Sequence, residues 1–174
     1  MSQKSDIARE LERKVKRFIR LTLEDIGTEI SEEFDRNFER EAFFNEHWAR
    51  RKFSDDESRG LLIRTGELRR SIKSETTGHS VIFSSDLEYA AIHNSGGTIT
   101  VTGKMKGYFW YMYRLFTDNY KREPTEEALF CKRMAMKKAG SKIIMPRRQF
   151  IGMHPEVGRI IREIAENNTK EVFK

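Results

Sequence analysis

Tyr89-Ala90-Ala91-Ile92-His93-Asn94-Ser95-Gly96-Gly97 runs directly into Thr98-Ile99-Thr100-Val101-Thr102. The second stretch alternates and is β-branched throughout, which predicts a strand. Gly96-Gly97 permits a sharp turn or a positive φ just before it. Upstream, Thr65-Gly66-Glu67-Leu68 predicts the start of a short helix. The Thr65 hydroxyl can accept from a free amide of the first turn, and Glu67 suits the positive helix end. Leu68 and Ile72, four apart, would form its buried edge. Residues 80–84 and Lys142-Ile143-Ile144-Met145 are two more strand candidates, the latter ended by Pro146.

Around these segments the spacing is helical. Residues 5 to about 50 contain no proline, and apolar side chains recur at Ile7, Leu11, Val15, Phe18, Ile26, Ile30, Phe34 and Phe38. A strict spacing of four turns the stripe by about 40° per step, so a straight rod cannot face one partner throughout. A bend or break near Gly27 is therefore expected, where glycine weakens the helix by about 1 kcal/mol relative to Ala. Unbroken, residues 5–40 would span about 54 Å, against a radius of gyration of about 16 Å for a compact domain of this size. Part of that helix must overhang or lie against another subunit. Phe43, Phe44, Trp48 and Phe53 extend the aromatic supply, and residues 54–60 read as an exposed loop.

Residues 104–141 form an insert. It holds Tyr108-Phe109-Trp110-Tyr111-Met112-Tyr113-Arg114-Leu115-Phe116 and a basic helix candidate over 125–138, which together predict a helical hairpin. The tail, 155–173, is amphipathic, with Val157, Ile160, Ile161 and Ile164 on one side. The expected architecture is α+β. A small, mostly antiparallel sheet packs with a long N-terminal helix and a C-terminal helix. The expected organisation is one domain over 1–174, with a helical arm (1–53), a body (60–103 and 142–174) and the insert.

Composition narrows the function classes. With 37% hydrophobic and 34% charged residues the chain is polar for a globule, which suggests solvated helices or surface kept for neighbours. Twelve Phe, five Tyr and two Trp argue against disorder. No apolar run approaches a membrane span, and the polar first residues offer no signal-peptide stretch. One cysteine, Cys131, can form neither an internal disulfide nor a zinc cluster, so a reducing cytosol is expected. A net charge of +6 fits proximity to a polyanion such as DNA.

Three blocks in order carry a resemblance. They are Leu62-Ile63-Arg64-Thr65-Gly66-Glu67-Leu68-Arg69-Arg70-Ser71-Ile72, the stretch Tyr89–Gly97, and Ile144-Met145-Pro146-Arg147-Arg148-Gln149-Phe150-Ile151-Gly152. Together they resemble the virion morphogenesis proteins of Mu-like phages and prophages, which act in tail completion and head–tail joining. The matching positions are Thr65, Gly66, Leu68, Arg69, Ser71, Ile72, Tyr89, Ala90, Ile92, His93, Gly96, Gly97, Pro146, Arg148, Phe150 and Gly152. One departure is Arg148-Gln149, where a proline often precedes the phenylalanine; its absence relaxes the backbone before Phe150. The resemblance implies a non-enzymatic structural protein assembling as a homo-oligomer, in the manner of a ring, with other tail or neck proteins. It implies no cofactor and no membrane partner. It places the protein in the bacterial host cytoplasm during assembly and then in the virion, at the tail end or neck.

Chemistry has few candidates. His93 is the tempting residue, but no HExxH, no Gly-x-Ser-x-Gly and no second histidine at ligand spacing accompanies it. A structural His93, bonded to a turn at the glycine corner, is favoured, and no catalytic or metal residue is assigned. Arg69, Arg70, Arg147 and Arg148 suit acidic side chains of a neighbouring subunit or phosphates in a channel, or else are solvated or tie the loop after Pro146 to the short helix. The aromatic segment suits a protein interface better than base stacking. The candidate contact residues are Phe34, Phe38, Phe109, Trp110, Tyr113 and Phe116. Two alternatives are a basic DNA-binding accessory protein and, ranked below it, a small hydrolase using His93 with carboxylates such as Glu88.

Overall fold

The computed structural model describes residues 2–51, 60–63 and 65–174. Phe53, Arg64 and most of the loop expected at 54–60 lie outside the described residues. The chain divides into two compact units, Met1–Ser95 with Arg147–Lys174, and Gly96–Pro146. The strands flanking the insert, expected in the body, fall in the second unit with the helical pair.

In the first unit, α1 (Ser2–Arg40) is one continuous helix, so the break expected at Gly27 does not occur. Two contacts explain why. The drifting stripe meets different partners along its length, Phe43 and the tail helix at Ile30 and Phe34, and Trp48 and Phe150 at Phe38. Gly27 itself is buried, and a Cβ there would lie 3.4 Å from Thr76 Oγ1 and 3.7 Å from Val81 Cγ1. Packing of Thr76 and Val81 over Gly27 offsets its weak helix propensity.

The helix also stops earlier than expected. Glu41 takes φ 51° and Phe44 φ 55°, left-handed conformations that fold the chain back. β1 (Ala42–Phe43) and β2 (Glu46–His47) form a small antiparallel ladder, closed by the Trp48 amide donating to Glu41 O at 2.8 Å. α2 (Glu67–Arg70) is a single turn, and Ile72 opens a strand where a helix edge was expected. That strand, β3 (Ile72–Thr76), pairs antiparallel with β4 (Val81–Ser85), and α3 (Ala90–Ser95) follows.

After Arg147, the chain ends in α6 (Pro155–Val172), with Pro155 in its first turn. The His154 ring Nδ1 accepts from the Glu156 amide at 3.2 Å. α6 lays Val157, Ile160 and Ile164 against Ile30, Phe34 and Phe43. Further along, buried Asn168 donates to Asp25 at 2.8 Å, and Phe173 meets the Phe18 ring at 6.0 Å. A second cluster gathers Phe38, Trp48, Leu61, Leu68, Ala90 and Phe150.

In the second unit, β5 (Gly97–Thr100) and β6 (Lys142–Met145) pair antiparallel. Between them stand α4 (Gly103–Phe116) and α5 (Glu126–Met136). Each helix is capped by a threonine: Thr102 accepts from Met105 N at 3.1 Å and Thr125 from Ala128 N at 3.3 Å. Their shared interior is Tyr113, Ala128 and Cys131, with Phe109, Met112 and Phe116 against it. The fold is α+β as expected, with the antiparallel sheet divided into three two-stranded ladders. No described helix is long and apolar enough to cross a membrane.

Candidate functional site

The three sequence blocks meet where α2, α3 and the loop after Arg147 come together in the first unit. Thr65 Oγ1 accepts from the Glu67 amide at 3.3 Å, as expected. Gly66, at φ 67°, occupies the cap position itself. Glu67 then accepts from the Tyr89 hydroxyl at 3.2 Å, which joins the first block to the second. Leu68, Ala90 and Phe150, one from each block, are buried in one cluster, with Ile72 packed against it. Ser71 Oγ bonds Ser85 Oγ at 2.7 Å and so ties the block to β4.

Asn94 makes the junction between the second and third blocks. Its Oδ1 accepts from Phe150 N at 2.9 Å and Ile151 N at 3.1 Å. Its Nδ2 donates to Ile151 O at 3.1 Å. The sequence reading gave the corner to His93, but the Nδ1 atom of that ring is buried without a partner. His93 contributes through its backbone, where O accepts from Arg148 N at 2.8 Å. Burial, and then the positive charge of Arg148, hold the imidazole below its ordinary protonation range. Nδ1 is the atom through which a partner would orient a general base, so this geometry lends the hydrolase alternative no support. Ile92 is half-buried beside it. Gly96 and Gly97 take φ 70° and 155°, as the corner expectation required.

The arginines are largely engaged within the chain. Arg69 grips Asp35 with two nitrogens and reaches Glu39 Oε1 at 2.7 Å, which ties α2 to α1. The hydrogen bonds raise the guanidinium further and hold the Asp35 carboxyl below its usual range. Arg148 is buried and donates from Nε to Ala49 O at 2.9 Å. Arg70 donates to Thr65 O at 2.9 Å, and Arg147 donates to Gln149 Oε1.

Three further residues hold the same loop, of which sequence reasoning passed over Asn37 and gave Trp48 and Gln149 no such role. Asn37, fully buried, donates to Phe150 O at 3.2 Å and accepts from Phe44 N at 2.9 Å. Trp48 Nε1 donates to Gln149 O at 2.6 Å. The Gln149 side chain donates to Ile151 O at 3.3 Å. With Asn94, these tie the loop from four positions, and no proline before Phe150 is needed to fix it. Gly152, at φ 139°, and Pro146, just after β6, complete the third block.

The candidate contact residues divide differently from expectation. Phe34 and Phe38 are 1% and 0% exposed, so neither is presented to a partner. Both point inward because β1, β4, α6 and the Phe150 loop close over that face. Tyr113 is buried, and Phe109 and Phe116 pack against the α4–α5 interior. Trp110 alone of the six is exposed; the outward face of α4 carries Tyr108, Tyr111 and Leu115 instead. On α1 the exposed apolar residues are Ile7, Leu11, Val15 and Ile19, at 67%, 54%, 39% and 37%. Among the described residues, no group of three or more His, Cys, Asp or Glu side chains could hold a metal ion.

The three separated blocks brace the first unit, and apolar side chains of α1 and α4 stand exposed. The chain belongs to the phage virion morphogenesis family, whose model matches residues 2–170. Neither a curated protein nor a solved structure matches it significantly. Membership points to a structural role in virion assembly rather than to catalysis.

Proposed function

We propose that this protein completes the tail or joins it to the head, assembled as a ring-like homo-oligomer in contact with other tail or neck proteins. It would fold in the bacterial host cytoplasm and finish in the virion, at the tail end or neck. The observation that carries this reading is the N-terminal half of α1. Near the end of α6, Arg17 pairs with Glu171 at 3.0 Å and Phe18 meets Phe173, which follows the helix. Beyond them Ile7, Leu11 and Val15 stand exposed along one side, and Ile19 lies near it. Covering what remains exposed of these four would contribute about 3–5 kcal/mol.

Charge supports contact between copies. Residues 6–20 hold six basic and three acidic side chains, whereas 21–40 hold seven acidic and two basic. Such a helix presents unlike ends, the complementarity that a head-to-tail contact in a ring requires. The acidic half also walls a groove of about 730 Å³ with α6, where Arg36, Arg40 and Arg159 pair with Glu32, Glu33, Glu156 and Glu163.

Disrupting the gene in a producing lysogen should yield separate heads and tails in electron micrographs. Complementation with the native gene should restore joined particles, and Ile7→Glu/Leu11→Glu should not. Normal infectious particles from the disrupted strain would refute the proposal.

A further inference from the structure

The two units differ sharply in charge. Gly96–Pro146 carries ten Lys or Arg and four Asp or Glu, so its net +6 equals that of the whole chain. The rest of the molecule is balanced, with 23 residues of each sign. The pairing differs too. Of the ten cations in the second unit, Arg122 alone lies within ion-pair range of a carboxylate, Asp118 at 3.8 Å. The four acids, Asp118, Glu123, Glu126 and Glu127, gather in the α4–α5 turn and the first turn of α5. Residues 96–117 and 128–146 contain no acid at all.

The cations are placed outward. Lys104 and Arg114 on α4, and Lys132, Arg133, Lys137 and Lys138 on and after α5, are all exposed. Cys131, Ala128 and Ala135 take the inner side of α5; Arg133 faces solvent, while Lys132, exposed beside it, also sets its Nζ 5.7 Å from the centre of the Tyr113 ring. Tyr108 and Tyr111, each 57% exposed, follow Lys104 by four and seven positions and so share its side of α4. Tyrosine hydroxyls and lysine ammonium groups are both ordinary donors to phosphate oxygens.

An uncompensated cation field costs self-repulsion unless a polyanion neutralises it. Duplex DNA, with one phosphate per about 1.7 Å of axis, releases the most counterions per contact. The cations are spread along α4 and α5, helices about 21 and 16 Å long. We propose that the outward face of α4 and α5 binds duplex DNA through its phosphates, without reading sequence. The inference rests on the assembly reading for its setting, since a neck or tail-end ring encloses the path of the genome.

The test is fluorescence anisotropy of the full-length chain with a labelled 20-base-pair duplex across a salt series. Native protein should give a linear loss of log affinity with log salt, with a slope of about 0.9 per phosphate contact. Lys132→Gln/Arg133→Gln should weaken binding equally for unrelated sequences and make the slope shallower by about two. Lys16→Gln, at an exposed pair with Glu12 on α1, should change neither. Both double-variant sites are exposed, and unchanged circular dichroism would confirm the fold. Absence of salt-dependent binding, or an unaltered slope in the double variant, would overturn the inference. So would tighter binding to single strands, or to poly-glutamate, which would make the partner an unpaired strand or an acidic protein. Particle joining separates the two proposals. Normal assembly with no DNA affinity removes this inference alone. DNA affinity alongside normal particles from the disrupted strain removes the assembly reading alone.

Discussion

Replacing Asn94 with alanine should destabilise the first unit more than any change at His93. Asn94 satisfies two amides and one carbonyl of the loop after Arg147, all within 3.1 Å. Phe150 is fully buried, so its N–H would be left without a partner or water. A buried unsatisfied donor costs about 1–3 kcal/mol. The half-buried Ile151 amide recovers part of its loss through solvent, which puts the total near 3 kcal/mol. For a chain of this size that lowers Tm by about 6–12 °C. His93→Phe removes a ring whose Nδ1 is buried without a bond, and should cost no more than about 1 kcal/mol. Urea unfolding followed by Trp48 fluorescence, in a Trp110→Phe background, reports on the first unit, because Trp48 donates to Gln149 O in the same loop. A loss below about 1 kcal/mol for Asn94→Ala, or a larger loss for His93→Phe, would refute the assignment of the junction to Asn94.

Two other perturbations follow from the geometry. Gly27→Ala should be neutral or stabilise by up to about 1 kcal/mol, since its Cβ makes ordinary contacts and improves helix propensity. Gly27→Leu should cost about 1–3 kcal/mol by pressing on Thr76 and Val81, read from the same urea curves. For pH, burial and the charge of Arg148 hold the His93 imidazole below its ordinary value of about 6.5. The unfolded chain then binds more protons than the folded one between the two values. Stability is full above about 6.5 and declines as pH falls towards the folded value. Between pH 7.5 and 5.5, His93→Phe should lose less stability than native protein; equal losses would show that another group titrates there.

What the sequence made legible was whatever repeats locally. The tail helix, the capped pair α4 and α5, and the β-branched strand β5 follow from period and cap residues. The β1–β2 ladder was hidden because its strands are two residues long and depend on left-handed Glu41 and Phe44, which no side-chain pattern announces. Residues 72–76 alternate no apolar face, so β3 was invisible beside its more apolar partner. Gly27 looked like a weak point because propensity is local, whereas its role is set by a hairpin far away in sequence. Similarly, the six aromatics of 108–116 lie nearly all round a helix, and only α5 determines which of them turn inward. At the junction, one-dimensional spacing picked the correct corner but not which of two adjacent polar side chains, His93 or Asn94, enters it.

The solution mass of the full-length chain at tens of micromolar, by native mass spectrometry or light scattering, tests the central claim most directly. A closed oligomer should be found for native protein, and a 20.6 kDa monomer with unchanged circular dichroism for Ile7→Glu/Leu11→Glu. An oligomer that survives that double substitution unchanged, or a native chain that stays monomeric even beside its tail and neck partners, would contradict it.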